Sequence, residues 1–389
     1  MKNNVNGLSV ALMCSGTIII SSTAFAAQNG DIKWSGFASA SASQVSGGIE
    51  EYRRRFENGK TEYSNTRIGL NISAKISDDI SVAGQILMAG REDEYAAHAD
   101  WVFITYSPHQ LKNTAFKLGR IKFATLLNSE VYDVGYAYPW VSVPSEIYDF
   151  TASGSQATYE VMSGANVSYG SYIGDFDWKI QAFVGEADSG LGTVDSLIGS
   201  VLAVNNDDLE FRLGYHQGTL VEDDGEPSGG LVGKLGELKE EQLVGADKEV
   251  TNLGVIWNIS NLRISAEYVS VDWSGGREAE QTDLFDTNSY YVSAGYRMGD
   301  WMPMITLAEM DEEGGTNQES ITLGVRYELS RSTAVKLEWQ SIDIAGRAEP
   351  LYVENEQGDK FFQSGLAILA EDGVEDKLTM INFSIDVVF

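Results

Sequence analysis

Cysteine is almost missing from this chain: the one residue, Cys14, lies near the N-terminus, so residues 27–389 carry none. That excludes disulfides, thiol nucleophiles and thiolate metal sites together. Proline is scarce, at 6, and no low-complexity tract marks a linker, so a single domain is expected. Histidine is scarcer still: His98, His109 and His216 are the 3 present, and no Gly-x-Ser-x-Gly or comparable nucleophile setting accompanies them. This argues against an enzyme. Positive charge is short as well, with Lys+Arg 27 against Asp+Glu 57 and a formal net charge of −30. Nucleic acid, which demands a basic footprint, is therefore not a partner. Beyond residue 26 no apolar run approaches the ~20 residues of a membrane-crossing helix. Acidic excess also marks disordered chains, but 43% hydrophobic and 11% aromatic content supplies ample apolar surface.

What is present begins with a secretion signal. Lys2 supplies the positive start, Leu8 to Ile20 is mostly apolar, and Ala24-Phe25-Ala26 is a small-x-small cleavage site. Residues 1–26 are expected to be removed, leaving 27–389 as the mature chain. A lipid-anchor reading of Cys14 fails, because bulky Met13 precedes it and the apolar run continues past it.

Apolar residues then recur at alternate positions almost everywhere, with Gly, Asn, Asp and Ser turns between them, which is the dyad repeat of a membrane β-barrel. The first strand spans Ile32 to Gln44, with small outward residues (Ala38, Ala40, Ala42) that suit a subunit interface. Seven hairpins follow. Their strands are 67–76 with 80–89, 99–107 with 115–121, 165–173 with 176–185, 195–204 with 209–219, 249–258 with 262–273, 289–298 with 302–310 and 320–329 with 333–344. Leu378 to Phe389 closes the chain. These make sixteen strands, with short turns inside each hairpin and longer loops between hairpins, the asymmetry of an outer-membrane barrel. Trp34, Trp178, Trp257 and Trp301 fall near the short-turn ends and Trp273 near an outer end, as interfacial belts require. Alternation places Arg67, Lys75, Arg212, Arg263, Arg297, Arg326 and Lys336 inward, together with Glu210, Glu267, Glu328 and Glu338. Inward positions are expected to be polar because they line water.

One stretch has neither period. From Lys122 to Ser153 the chain reads KFATLLNSEVYDVGYAYPWVSVPSEIYDFTAS, with Pro139, Pro144 and the carboxylates Glu130, Asp133, Glu146 and Asp149. A structureless segment this long inside a compact domain is expected to be functional. The expectation is a loop folded into the lumen and narrowing it.

Three features resemble the general porins of Gram-negative outer membranes. Asn65-Thr66-Arg67-Ile68-Gly69-Leu70 resembles that family's Arg-x-Gly second strand. Leu118-Gly119-Arg120 resembles the Gly-Arg that ends its fifth strand and opens an inward-folded third loop, and Phe389 matches its terminal aromatic. The Pro-Glu-Phe-Gly-Gly motif of many third loops is replaced by Val143-Pro144-Ser145-Glu146-Ile147. The resemblance implies a 16-stranded antiparallel transmembrane β-barrel, all-β, with wall arginines (Arg67, Arg120) facing carboxylates of the third extracellular loop. The candidates are Glu130, Asp133, Glu146 and Asp149. It implies a homotrimer among outer-membrane lipid and lipopolysaccharide, passing small hydrophilic solutes by passive diffusion, with no cofactor.

The acidic excess predicts a mild cation preference. The alternatives are a substrate-selective channel for a sugar or organic acid and a non-conducting barrel for anchoring or adhesion. Tyr132, Tyr136, Tyr138, Trp140 and Tyr148 either stack on sugar rings or wedge the loop against the wall. No metal site is expected: Glu222-Asp223-Asp224 and Asp311-Glu312-Glu313 lack the alternate-ligand spacing of a calcium loop. Gly229 to Gly236 lacks the Ser/Thr that a phosphate loop carries after its lysine.

Overall fold

The computed structural model describes residues 32–47, 51–52, 56–63, 65–91, 94–148, 160–189, 192–221, 244–276, 286–313, 316–346, 352–354, 360–363, 367–369 and 376–389. The signal at 1–26, Asp149, Glu222-Asp223-Asp224 and the glycine-rich stretch 229–236 fall outside them. The barrel strands are β1 (Ile32–Gly47), β2 (Arg67–Lys75), β3 (Ile80–Arg91), β4 (Glu94–Tyr106), β5 (Thr114–Lys122), β6 (Val161–Ile173), β7 (Phe176–Ser189) and β8 (Gly192–Asn205). They continue as β9 (Leu209–Val221), β10 (Ala246–Ile259), β11 (Leu262–Gly275), β12 (Thr287–Tyr296), β13 (Trp301–Glu312), β14 (Thr316–Ser330), β15 (Thr333–Gly346) and β16 (Asp376–Val388). Each pairs antiparallel with its neighbours in sequence. β1 pairs with both β2 (Ile32 opposite Ala74) and β16 (Phe37 opposite Val388), which closes the sheet. The terminal Phe389 joins this seam by exchanging backbone hydrogen bonds with Gly36, at 2.8 and 2.9 Å. A closed sheet leaves no strand edge, which is what a β-structure in lipid must achieve.

Alternation decides which face meets lipid. β13 reads exposed then buried without interruption from Trp301 to Ala308, with Ile305 and Leu307 on the outer face. Trp34, Trp257 and Trp301 lie exposed on that face as expected. Trp273 does not: it points inward, is buried, and has the Lys248 ammonium 5.2 Å from its ring centroid.

The strands run further than their alternation shows. β3 ends at Arg91 and β4 begins at Glu94, β7 ends at Ser189 and β8 begins at Gly192, and β13 ends at Glu312 with β14 resuming at Thr316. Three of the outer connections expected to be long are therefore short, because backbone pairing persists beyond the depth where lipid enforces an apolar face. The first and last long connections instead contribute to a second antiparallel sheet of five short strands: 51–52, 56–57, 352–354, 360–363 and 367–369. Its Tyr52 and Phe56 pack against Val45, Ile342, Ile344, Leu378 and Met380.

The inward face also departs from expectation. Val194, Leu197, Leu220, Val250, Val269 and Val271 are inward and buried to 1% exposure or less. They form one cluster with Phe123, Leu126, Trp140 and Tyr148 of the segment after β5. These wall positions are apolar because they meet protein, not water.

Candidate functional site

The segment from Phe123 to Tyr148 contains two short 3-10 turns (Ser129–Val131 and Gly135–Ala137) and one helical turn (Ser145–Tyr148). An irregular backbone cannot satisfy its own amides and carbonyls, and buried ones need partners. The barrel wall supplies them. On β9, Arg212 donates to the carbonyls of Ala124 (3.1 Å) and Leu126 (2.7 Å). On β14, Arg326 donates to those of Tyr136 and Tyr138, both at 2.8 Å. On β15, Lys336 donates to those of Gly135 (2.5 Å) and Trp140 (2.6 Å). Wall carboxylates take the amides: Glu267 of β11 accepts from Leu127 N–H at 2.7 Å, and Glu338 of β15 from Val141 N–H at 2.9 Å.

Side chains complete the contact. Trp140 donates its indole N–H to Thr306 of β13 at 2.8 Å. Glu146 accepts from Gln318 (2.8 Å) and Ser320 (2.5 Å) of β14. Tyr148 donates its hydroxyl to Glu267 and accepts the Asn128 N–H at 2.9 Å. Gly135 comes so close to β1 and β16 that a Cβ there would fall on Ser39 Oγ and Asp386 Oδ1.

At the root of the segment, the Lys122 ammonium sits among three carboxylates, 2.6 Å from Asp133, 2.6 Å from Glu160 and 3.4 Å from Asp100. Oxygens of the three acids lie within 4.8 Å of one another. That is a cation-binding arrangement, and Lys122 supplies the cation. Burial pushes the Asp133 carboxyl up to about 6; Lys122 opposes the shift, while Glu160 and Asp100 add to it. Burial would also raise Glu130, but Arg212, Lys179 and Lys117 hold it below the usual carboxylate range. Tyr148 is raised well above the ordinary tyrosine value by burial and by Glu267.

The residues expected from sequence divide. Arg67 lies on the inner face, donates to the Tyr138 hydroxyl, and has its guanidinium 5.9 Å from the Tyr132 ring centroid. Arg120 lies on the outer face. It stands opposite Val102, which is 54% exposed, and alternates with the exposed Leu118 and Phe116. It donates to the Asp100 carbonyl at 2.8 Å and reaches Asp188 of β7 at 3.6 Å. The alternation Phe116, Leu118, Arg120 already carried that placement. Gly119 between them takes a φ of +138°, and a Cβ there would strike the Val102 carbonyl oxygen, so the Gly-Arg pair serves strand packing.

Of the loop acids, Asp133 is taken by Lys122 and Glu146 by Gln318 and Ser320. Glu130 faces a different arginine from those expected, Arg212, at 3.6 Å. The aromatic residues mostly wedge: Tyr138, Trp140 and Tyr148 are buried, and Tyr132 and Tyr136 are half-buried. His98, His109 and His216 lie on separate elements, with His109 beside Asp79 and His216 edge-on to Phe123.

Alternation found Arg212, Arg326, Lys336, Glu267 and Glu338 as inward charges. It carries no information on their use, because the backbone carbonyls they hold are sequence-blind. Asp100 escaped altogether. A register shift between Gln85 and Ile86 opposite β4 breaks the alternation there, and Asp100 is buried, accepting from Gln85 at 2.6 Å.

Removing the Tyr148 hydroxyl takes the donor from one Glu267 oxygen, the other being held by Leu127 N–H and Asn252, and takes the acceptor from the buried Asn128 N–H. Tyr148→Phe is expected to destabilise the folded barrel by about 1–3 kcal/mol, read from its urea midpoint in detergent.

A family model described as Gram-negative porin matches residues 9–345. The chain belongs to that family. As a porin it is an outer-membrane channel for small solutes. No curated protein matches the sequence. Solved structures do. The anion-selective porin from Comamonas acidovorans superposes with a TM-score of 0.58 at 15% identity, over 92% of this porin and 99% of that chain. Salmonella typhi OmpF in complex with daunomycin gives 0.56 at 13%, over 92% and 98%. In-vitro folded OmpT of Vibrio cholerae, in its trimer form, gives 0.52 at 12%, over 92% and 99%. At these identities the likeness is one of fold.

Proposed function

We propose that the porin folds Phe123–Tyr148 into its lumen to narrow a water-filled pore, through which small hydrophilic solutes and ions diffuse passively. The observation that carries this reading is the use made of wall cations: Arg212, Arg326 and Lys336 each hold two carbonyl oxygens of the segment. In a closed barrel the face opposite the lipid-exposed one is the lumen. A segment bonded to that face from β9 through β15 crosses the pore. The constriction is then bordered by Arg67 of the wall on one side and by the docked segment on the other, with Tyr132 and Tyr138 of the segment against Arg67 and with Glu130, Asp133 and Glu146 as its acids.

The large excess of acidic over basic residues, a formal net charge of −30, favours a mild cation preference. Planar-bilayer recording of the refolded protein in a KCl gradient tests both claims. Discrete steps with a cation-leaning reversal potential are expected. An anion-leaning potential overturns the preference, and absence of steps from folded protein leaves an anchoring barrel.

A second reading, a solute-selective channel, draws on the apolar cluster that fills part of the lumen beside the segment. A cavity remains, lined by Arg67, Tyr132, Ser145, Glu338, Gln340 and Asn382. Small steps blocked by one sugar or organic acid would identify it. Chemistry at this site is transport alone, with no enzymatic step assigned.

Cleavage after Ala26 is expected, and intact-mass measurement of the membrane-extracted protein checks it. A homotrimer embedded in outer-membrane lipid and lipopolysaccharide is supported by the small outward Ala38, Ala40 and Ala42 of β1 and by the trimeric OmpT relative. Native mass spectrometry in detergent is expected to give three copies.

A further inference from the structure

Among the basic side chains of the short-turn half of the lumen that do not dock the segment, four lie on β5, β7, β11 and just past β12. Lys117 on β5 is inward, its ammonium 4.7 Å from the ring centroid of Phe103, which packs on the lumenal cluster. Lys179 on β7 alternates with the buried Gln181 and Phe183. Arg263 on β11 alternates with the buried Ser265 and Glu267, and Arg297, just past β12, with Tyr291 and Ser293. Arg263 reaches only the Asn258 amide oxygen, at 3.4 Å, and none of the four makes an ion pair among the described residues.

Their electrostatic neighbours include one another. Arg263 lies within range of Tyr291, Glu210, Arg326 and Arg297, and Lys117 within range of Glu130 and Lys179. The inward acids of this half are spoken for: Arg212 engages Glu210 at 3.3 Å and Glu130 at 3.6 Å, and Arg326 engages Glu328 at 2.7 Å. Lys336 engages Asp386 at 3.0 Å, and Asp177, near the start of β7, makes no ion pair among the described residues. Lys117 and Lys179 both lie within electrostatic range of Glu130. A chain carrying −30 overall has thus gathered an excess of cations in one half of its lumen. Low-dielectric walls focus such a field into the water between them.

We propose that this half of the lumen is a vestibule that binds small multivalent anions, of phosphate or dicarboxylate chemistry, reached from the periplasmic side. The inference rests on the pore reading above. It makes the channel electrically two-sided: an acidic outer mouth that gathers cations, and a basic inner half that holds multivalent anions.

The test uses the refolded full-length mature barrel and potassium pyrophosphate as probe. KCl steps first establish the pore. Pyrophosphate on the periplasmic side is then expected to reduce the current at a concentration about tenfold lower than from the outer side. A variant carrying Lys117→Gln, Lys179→Gln, Arg263→Gln and Arg297→Gln is expected to raise the half-blocking concentration by about tenfold. Equal block from the two sides, or block unchanged in the variant, overturns the proposal. If the quadruple variant does not fold, the two double variants (Lys117 with Lys179, Arg263 with Arg297) are read in its place. If folded protein gives no KCl steps, the pore reading has failed. Calorimetric titration of pyrophosphate into the detergent-solubilised barrel then decides the vestibule: saturable binding lost in the variant supports it, and no heat overturns it.

Discussion

Lys122→Met is expected to cost the folded barrel about 3–5 kcal/mol, because it removes the ammonium that pairs with all three of a clustered set of carboxylates. Asp100 and Asp133 are 3% exposed, so water cannot take the place of the ammonium. The urea midpoint of the refolded protein in detergent is the measurement. Combining Lys122→Met with Asp133→Asn is expected to recover part of the loss, since one fewer negative charge remains to be desolvated. If Lys122→Met leaves the midpoint unmoved, the cluster does not hold the root of the loop.

The same cluster sets a pH dependence. The Asp133 value of about 6 lies above its ordinary 3.8, so the folded chain binds this proton more tightly than the unfolded one. The stability it contributes is complete below the ordinary value and is lost as pH rises through about 6. Wild type is therefore expected to lose stability relative to Asp133→Asn between about pH 4 and about pH 7. A difference between the two proteins that is flat over that window would remove Asp133 as the titrating group.

Lys336→Met is the second large effect. Its ammonium is fully buried, 3.0 Å from Asp386, and bridges the Gly135 and Trp140 carbonyls of the segment. Losing it strands Asp386 as an uncompensated buried charge and frees two carbonyls at once, again about 3–5 kcal/mol. Two readouts separate the two roles. Adding Asp386→Asn is expected to return stability by removing the stranded charge. It is not expected to restore the bridge to the segment, so single-channel steps in KCl stay larger and noisier than wild type in both variants. Wild-type conductance in the single variant would show that the segment keeps its place without Lys336.

The barrel was legible because lipid and closure impose rules on every residue. A strand in a bilayer must show an apolar face at every second position. β13 keeps that alternation from Trp301 to Ala308, and β16 keeps it to Phe389. The same rule, not the local resemblance of Leu118-Gly119-Arg120 to a pore-lining motif, accounts for the outward Arg120 in the structure. Where alternation stops, so does legibility. Nothing in the sequence says that Val194, Val250 and Val271 face inward onto a loop, since an apolar residue reads alike whether it meets lipid or protein.

The sequence by itself determined the class of the molecule: a chain with no cysteine beyond Cys14 and no apolar run of spanning length past residue 26, alternating through sixteen strands to a terminal aromatic. It also found many of the charges that point inward, among them Arg212, Arg326, Lys336, Glu267 and Glu338. Only the tertiary structure decided what those charges do. Arg212, Arg326, Lys336, Glu267 and Glu338 bond to the backbone of Phe123–Tyr148, while Lys117, Lys179, Arg263 and Arg297 are left facing the lumen. The physical reason is that strand period is a local property of the chain, set residue by residue by the two faces of a sheet. The partner of an inward charge is contributed by a segment tens to hundreds of residues away, through carbonyl and amide groups that every residue shares.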